Sequence, residues 1–323
     1  MAQISCWVYL SMSTSYSSKI KALMEQEHNT KKKKFWWRTI ASFTIVLFSM
    51  PLGHALMILM EKFMTPGPMH YAAFFMGLAG LLMVIVGVFV KSDTRQTLWG
   101  FFGGLLFWTG WVEFLFMYYA RRFGVQPEIE NGEIVTKPEY LILPASFGMW
   151  MMVMTMYIFS TKNGCDFITW IQKKLFRSRR AEIVPQPMTR HTSIVTFMEL
   201  NMILWAMYLL LMFCYDKNFL GDHHPVTFIV GIGCLIGSLF MFKRQLYLGS
   251  WGANIRMAIA TVIIFWTPVE ILGRMNFFTE IWVEPEHYIP QMVTILVVFI
   301  ALFVYLWLKA SRRKLRREIS QYD

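Results

Sequence analysis

Residues 107–113 read FWTGWVE and residues 265–270 read FWTPVE. Each segment carries one acid, Glu113 or Glu270, inside an otherwise apolar run. Reading outward from the two segments, the flanks also match in order. Lys91 precedes Trp99-Gly100, and Lys243 precedes Trp251-Gly252. Further upstream, His70 is followed by Gly77 as His224 is followed by Gly231. Glu61-Lys62-Phe63 corresponds to Asp216-Lys217-Asn218-Phe219. Downstream, Pro138-Glu139-Tyr140 corresponds to Pro285-Glu286-His287-Tyr288. The spacing is not perfect, since the Trp99–Phe107 and Trp251–Phe265 gaps differ in length. The shared order across two halves still implies an internal duplication.

The repeated unit is a membrane unit. The chain is 56% hydrophobic and 16% charged over 323 residues, against roughly 25% charged in soluble domains. Apolar blocks fall at 38–60, 70–90, 98–120, 140–161, 193–215, 225–243, 255–273 and 289–309. About 20 residues at about 1.5 Å each cross roughly 30 Å of hydrocarbon. The blocks lack the two-residue alternation of a membrane strand. The expected fold is therefore all-α and polytopic, with about eight transmembrane helices as two parallel four-helix repeats. An even number of crossings per copy gives both copies the same orientation. The pseudo-two-fold axis then lies along the membrane normal, and matching residues sit at equal depth.

Charge sets the expected topology. The net charge is +11, but Lys and Arg are confined to short loops and the tail, which argues against nucleic acid as a partner. One set of loops holds Lys31 to Lys34 with Arg38, Lys91 with Arg95, the basic 162–192 segment, Lys243 with Arg244, and the tail from Lys309. That set is expected to be cytoplasmic, with both termini inside the plasma (inner) membrane and basic loops on anionic lipid. The expected divisions are a basic N-terminal segment at 1–37, the first repeat at 38–162, a basic linker at 163–192, the second repeat at 193–310 and a tail at 311–323. The start, CWVYL, has no cationic segment before it and does not read as a cleaved signal peptide; Met12 and Met24 are alternative starts.

The acids repeated at depth are the foremost candidates for function. An ionisable group inside a span costs several kcal/mol unless paired, solvated or protonated. Glu113 and Glu270 could thus form a symmetric pair for a proton, cation or cationic ligand, with Glu61 and Asp216 as supporting acids. The alternative is local pairing of Glu113 with Arg121 or Arg122, and of Glu270 with Arg274 at i+4. His54 lies seven residues before Glu61 on the same helix face, near Pro51 and Gly53, and suits a relay or a hydrogen bond within the bundle.

A second candidate set lies in the loops opposite the basic ones: His70, His223, His224, Glu286 and His287. These residue types suit zinc or copper, but the set has neither HxxxH nor HxH spacing. The four cysteines show no CxxC pairing. The twenty-five methionines are scattered and read as packing material. Gly77, Gly80, Gly231 and Gly233 are expected at close helix contacts. No GxSxG, P-loop, HExxH or haem-attachment motif is present, and no motif requires a cofactor.

Three functional readings follow. The first is a small transporter or ligand-binding membrane protein with its site between the halves near the outer face. The second is a membrane enzyme acting on a lipid or apolar substrate at the outer leaflet, with no catalytic residue assignable from the sequence. The third is a non-catalytic subunit that assembles with other membrane proteins or as a homo-oligomer.

Overall fold

A computed structural model describes residues 34–130, 133–159, 166–175 and 191–319. Among them, seven helices are long and apolar enough to cross a membrane. These are α1 (Trp36–Phe63), α2 (Pro66–Phe89), α3 (Asp93–Phe107) with its continuation α4 (Phe114–Arg122), α8 (Thr192–Tyr215), α9 (Pro225–Gln245), α10 (Trp251–Arg274) and α11 (Ile289–Ile319). Local chemistry sets several ends. Pro66 and Pro225 start α2 and α9, where a missing N–H costs nothing. Ser250 caps α10 by accepting from the Ala253 N–H at 3.1 Å. After α4 the chain turns at Gly124, whose φ of 68° disfavours a side chain.

The expected fourth span is broken. It consists of α5 (Pro138–Ile142), a 3-10 turn (Leu143–Ser146) containing Pro144, and α6 (Phe147–Phe159). Trp205 Nε1 donates to Ser146 Oγ, and Trp150 Nε1 donates to Met202 O. The two bonds run in opposite chain order, so α6 lies antiparallel to α8. The only strands among the described residues, β1 (Glu128–Glu130) and β2 (Glu133–Thr136), form an antiparallel ribbon between α4 and α5. The segment expected as a linker contains α7 (Asp166–Leu175); the rest of 163–190 and residues 1–33 and 320–323 lie outside the described residues. The expected boundary at 310 falls inside α11, which continues as helix to Ile319.

Packing separates a central set of helices from a peripheral one. The apolar window of α10 is 61% buried and that of α11 only 11%. α1 packs on α10, and α8 packs on α3. Their shared core contains Ile45, Leu98, Phe101, Leu200, Ile255 and Ile259. α2, α9 and α11 flank this set and expose Leu82, Ile236 and Val297 among many apolar side chains. Exposed apolar faces of that extent fit a hydrocarbon surrounding.

Small residues bring α2 and α3 together. A Cβ on Gly80 would lie 2.6 Å from Gly103 O, and one on Gly110 would lie 2.7 Å from Ala73 O. Gly77 is equally crowded by the Trp111 ring. A Cβ on Gly231 would lie 3.2 Å from the Ile271 side chain, whereas one on Gly233 would have open space around it.

Between α3 and α4 the helix does not break but widens into a π-helical turn, Trp108–Glu113. The sequence FWTGWVE has one residue more between its Trp and Glu than FWTPVE. A π turn is how a continuous helix absorbs one extra residue. α10 passes the matching point as ordinary helix, with Pro268 inside it.

Polar layers close one end of the bundle. Asn254 Nδ2 donates to Thr39 Oγ1 (3.2 Å) and Gln245 O (3.0 Å), and Gln245 Nε2 donates to Asn254 Oδ1 (2.9 Å). All three side chains are buried. Beside them, Arg256 reaches Asp93 Oδ1 (3.1 Å) and Thr97 Oγ1 (2.7 Å), and Gln96 Oε1 accepts from the Thr192 N–H (3.1 Å). These bonds tie α1, α3, α8, α9 and α10 at what is termed below the Asp93 end. Trp37 at the start of α1 donates to Tyr305 near the end of the apolar part of α11. The first and last spans therefore meet at this end.

Candidate functional site

Toward the opposite end, the four central elements part around a cavity. Its inner chamber has an empty volume of about 580 Å³. α1 supplies Ser49, Met50, Gly53 and His54. The π turn with the adjoining end of α3 supplies Leu105, Trp108, Thr109 and Glu113. α8 supplies Leu204, Met207, Tyr208 and Leu211, and α10 supplies Ile263, Trp266, Thr267 and Glu270. A wider outer chamber shares His54, Glu113, Tyr208, Leu211 and Glu270, and adds Glu61, Lys137, Glu139, Tyr140, Arg274, Glu280 and Trp282. The shared residues form a polar waist between a mostly apolar inner chamber and a charged mouth.

The waist is asymmetric. Glu270 Oε1 accepts from Trp266 Nε1 at 2.5 Å, one helical turn back. The same oxygen lies 3.6 Å from His54 Nε2. That imidazole nitrogen also meets Tyr208 OH at 3.2 Å. Glu113 makes neither hydrogen bond nor ion pair with any described residue, although it lines both chambers. Tyr208 stands between two nearly parallel rings: Trp108 with centroid at 5.7 Å and 17° between planes, and Tyr140 with 5.7 Å and 8°. Trp266 packs on Trp282 at 4.8 Å.

The mouth is a network of ion pairs. Arg274 Nε donates to Asp222 Oδ1 at 2.7 Å, its guanidinium lies 3.6 Å from Glu128 Oε2, and it covers the Tyr215 ring at 4.2 Å. Glu61 pairs with Arg121 and lies 3.8 Å from Lys137 Nζ. Lys62 pairs with Glu286, which holds the Glu286 carboxyl below its ordinary range. Glu280 behaves in the opposite way. Burial, and then the nearby Glu270, push its carboxyl up to about 7, against the pull of His54 and Arg274.

The structure therefore brings together Glu113, Glu270, His54, Glu61 and Arg274 around one cavity. Arg121 reaches it only through Glu61. Asp216 is not among the lining residues; its carboxylate accepts from the Asn218 N–H at 2.8 Å and caps a turn. Local pairing of the deep acids does not occur, because Arg121 goes to Glu61 and Arg274 to Asp222.

The five loop residues considered for zinc or copper are not brought together. His70 packs on Tyr118 (5.0 Å) and Phe114 (5.6 Å). His224 Nδ1 accepts from the Val226 N–H at 3.2 Å, capping α9. His287 lies against Glu284 (3.3 Å), Glu286 is on Lys62, and His223 is exposed. Among the described residues, no group of three His, Cys, Asp or Glu side chains is placed to hold a metal.

No protein-family model, curated protein or solved structure matches this chain. The site must be read from its own chemistry.

Sequence reasoning missed Tyr208, Tyr140, Trp282 and Glu280. Tyr208 is one of thirteen tyrosines, in a run of aliphatic residues, and nothing local sets it apart. Trp108 and Trp266 had a signal, since each opens one of the two quoted segments, but there they serve only as markers of the repeat.

Proposed function

We propose that this chain is a small membrane transporter or ligand-binding membrane protein whose site lies between its two halves, open toward the outer face. The observation that carries the reading is the shared waist. Glu113 comes from the first half and Glu270 from the second, and both line one cavity with His54 and Tyr208. Groups that ionise at membrane depth, facing a cavity rather than lipid, are the mark of a ligand or ion path.

The helix packing is compatible with a two-fold arrangement, which would put the site at the centre. α1 meets α10 and α8 meets α3, which is the exchange expected if the first span of each copy packs on the third span of the other. The π turn supports the match of the acids, because it lets Glu113 follow Trp108 by five residues and keep the place that Glu270 takes four after Trp266. On this reading the broken fourth element, with α6 antiparallel to α8, is counted as a further crossing beside the seven long apolar helices. The excess of Lys and Arg in the loops at the Asp93 end makes that end cytoplasmic and the mouth at Glu61 and Arg274 external.

Thiol accessibility tests this directly. Met207 lines the inner chamber. In a background with all four native cysteines replaced by serine, Met207→Cys is expected to react with a membrane-impermeant maleimide added outside intact cells. Labelling only in inside-out vesicles would place the opening on the wrong face. No labelling from either face would remove the cavity as a path.

A further inference from the structure

We infer that the ligand is a monovalent organic cation, a protonated amine or quaternary ammonium, with its charged head at Glu113 and its apolar body in the inner chamber. The inference rests on the ligand-site reading above and adds the class of ligand.

The waist holds two carboxyl groups and one side chain that becomes a cation when protonated, His54. His54 lies against Glu270, which also takes the Trp266 N–H. The residue that corresponds to His54 in the second half, counted from the Glu61 and Asp216 match, is Leu209. Glu113 is left with no donor among the described residues. A carboxyl at membrane depth with no protein donor is stabilised either by keeping its proton or by a positive charge from outside the protein, and a cation seated in the cavity supplies the second.

The surroundings of Glu113 favour one kind of cation. Trp108, Tyr208 and Trp266 line the same chamber, and aromatic rings attract ammonium groups more than they attract hydrated metal ions. The inner chamber below is walled by Leu105, Leu204, Leu211 and Ile263, which suits a hydrocarbon or aryl body and offers little to a hydrated metal ion. At the mouth, Lys137 and Arg274 are engaged by Glu61, Asp222 and Glu128, while Glu139 and Glu280 add further carboxyls. The entrance therefore does not select for anions.

Three aryl probes separate charge from fit: benzyltrimethylammonium, its neutral isostere neopentylbenzene, and the smaller anion benzenesulfonate. Binding to the purified full-length protein in detergent is read by calorimetry and by the shift in Tm. The ammonium is expected to bind, and the other two at least about tenfold more weakly, the worth of one charge-assisted contact. Glu113→Gln is expected to lose about tenfold in affinity for the ammonium, while Glu113→Asp keeps most of it. Asp216→Asn, outside the cavity, serves as the unaffected control. Equal binding of the ammonium and neopentylbenzene, or equal binding to wild type and Glu113→Gln, overturns the inference. If benzenesulfonate or neopentylbenzene binds instead and Trp108→Ala abolishes it, the cation is wrong and the ligand site stands. If none of the three binds, the cation inference falls, and the site reading is judged by the thiol experiment alone.

Discussion

His54 Nε2 lies 3.6 Å from Glu270 Oε1, so an imidazole of α1 faces a carboxyl group of α10 across the centre of the bundle. Neither group is fully enclosed, at 19% and 23% side-chain exposure. Their energies should nonetheless be coupled, because each removes the nearest opposite partner of the other. A double-mutant cycle with His54→Gln and Glu270→Gln is expected to give a coupling of about 1–2 kcal/mol in thermal or denaturant unfolding. Additive effects would mean that the pair is not formed in the protein.

The π turn makes a prediction about packing. Gly110 sits inside it against the backbone of α2, where a Cβ would meet Ala73 O at 2.7 Å. Backbone atoms cannot swing aside as a side chain can. Gly110→Ala is therefore expected to push α2 from α3 and cost about 1–3 kcal/mol, as overpacking does. Gly233→Ala, with open space around it, is the control and should leave Tm within about 1–2 °C, since an exposed change costs little. Both are read as melting temperatures of the purified protein.

The sequence made the helices legible because apolar length is a local property. It also made Glu113 and Glu270 legible, because a carboxyl in such a run is conspicuous wherever the chain folds. The fourth span was harder. Its hydrophobic block is continuous, and Pro144 alone does not reveal that residues 143–146 tighten to a 3-10 turn. The partners of the acids were not legible. Arg274 stands at i+4 from Glu270, which is ideal spacing for a helical pair, yet it turns to Asp222 on another segment. That choice depends on where the loop before α9 lies, which no spacing rule encodes. The extra residue in FWTGWVE was visible in the sequence, but its consequence needed a backbone that could widen by one residue.

At the Asp93 end, Arg256 is the keystone of a polar layer. It donates to Asp93 and Thr97, and its own side chain is only 11% exposed. Arg256→Ala leaves the Thr97 hydroxyl and an Asp93 carboxylate with fewer partners. A loss of about 1–3 kcal/mol is expected, below the cost of breaking a fully buried pair, because Asp93 remains 45% exposed. A second readout concerns how tightly that end is packed. A cysteine at Thr261, buried on α10, is expected to be unreactive to maleimide in the parent and reactive in the Arg256→Ala background. No gain in reactivity would mean that this layer does not hold the end closed.

Glu280 gives the mouth a dependence on pH. Its carboxyl is raised from 4.5 to about 7, chiefly by burial, with Glu270 adding to the effect. Between these two values the folded protein keeps a proton that the unfolded chain has released. Stability must then fall as pH rises, because the native state binds more protons. The contribution is complete below pH 4.5, is lost progressively up to about 7, and is level above that. Glu280→Gln cannot ionise and should lack this slope. The variant and wild type are expected to melt alike near pH 4. The variant should become the more stable as pH approaches 8, by at most about 3 kcal/mol before any discount for solvent at the mouth. The measurement is the difference in unfolding free energy between the two proteins from pH 4 to 8. A difference that does not grow over that interval would show that the Glu280 carboxyl is solvated rather than enclosed beside Glu270.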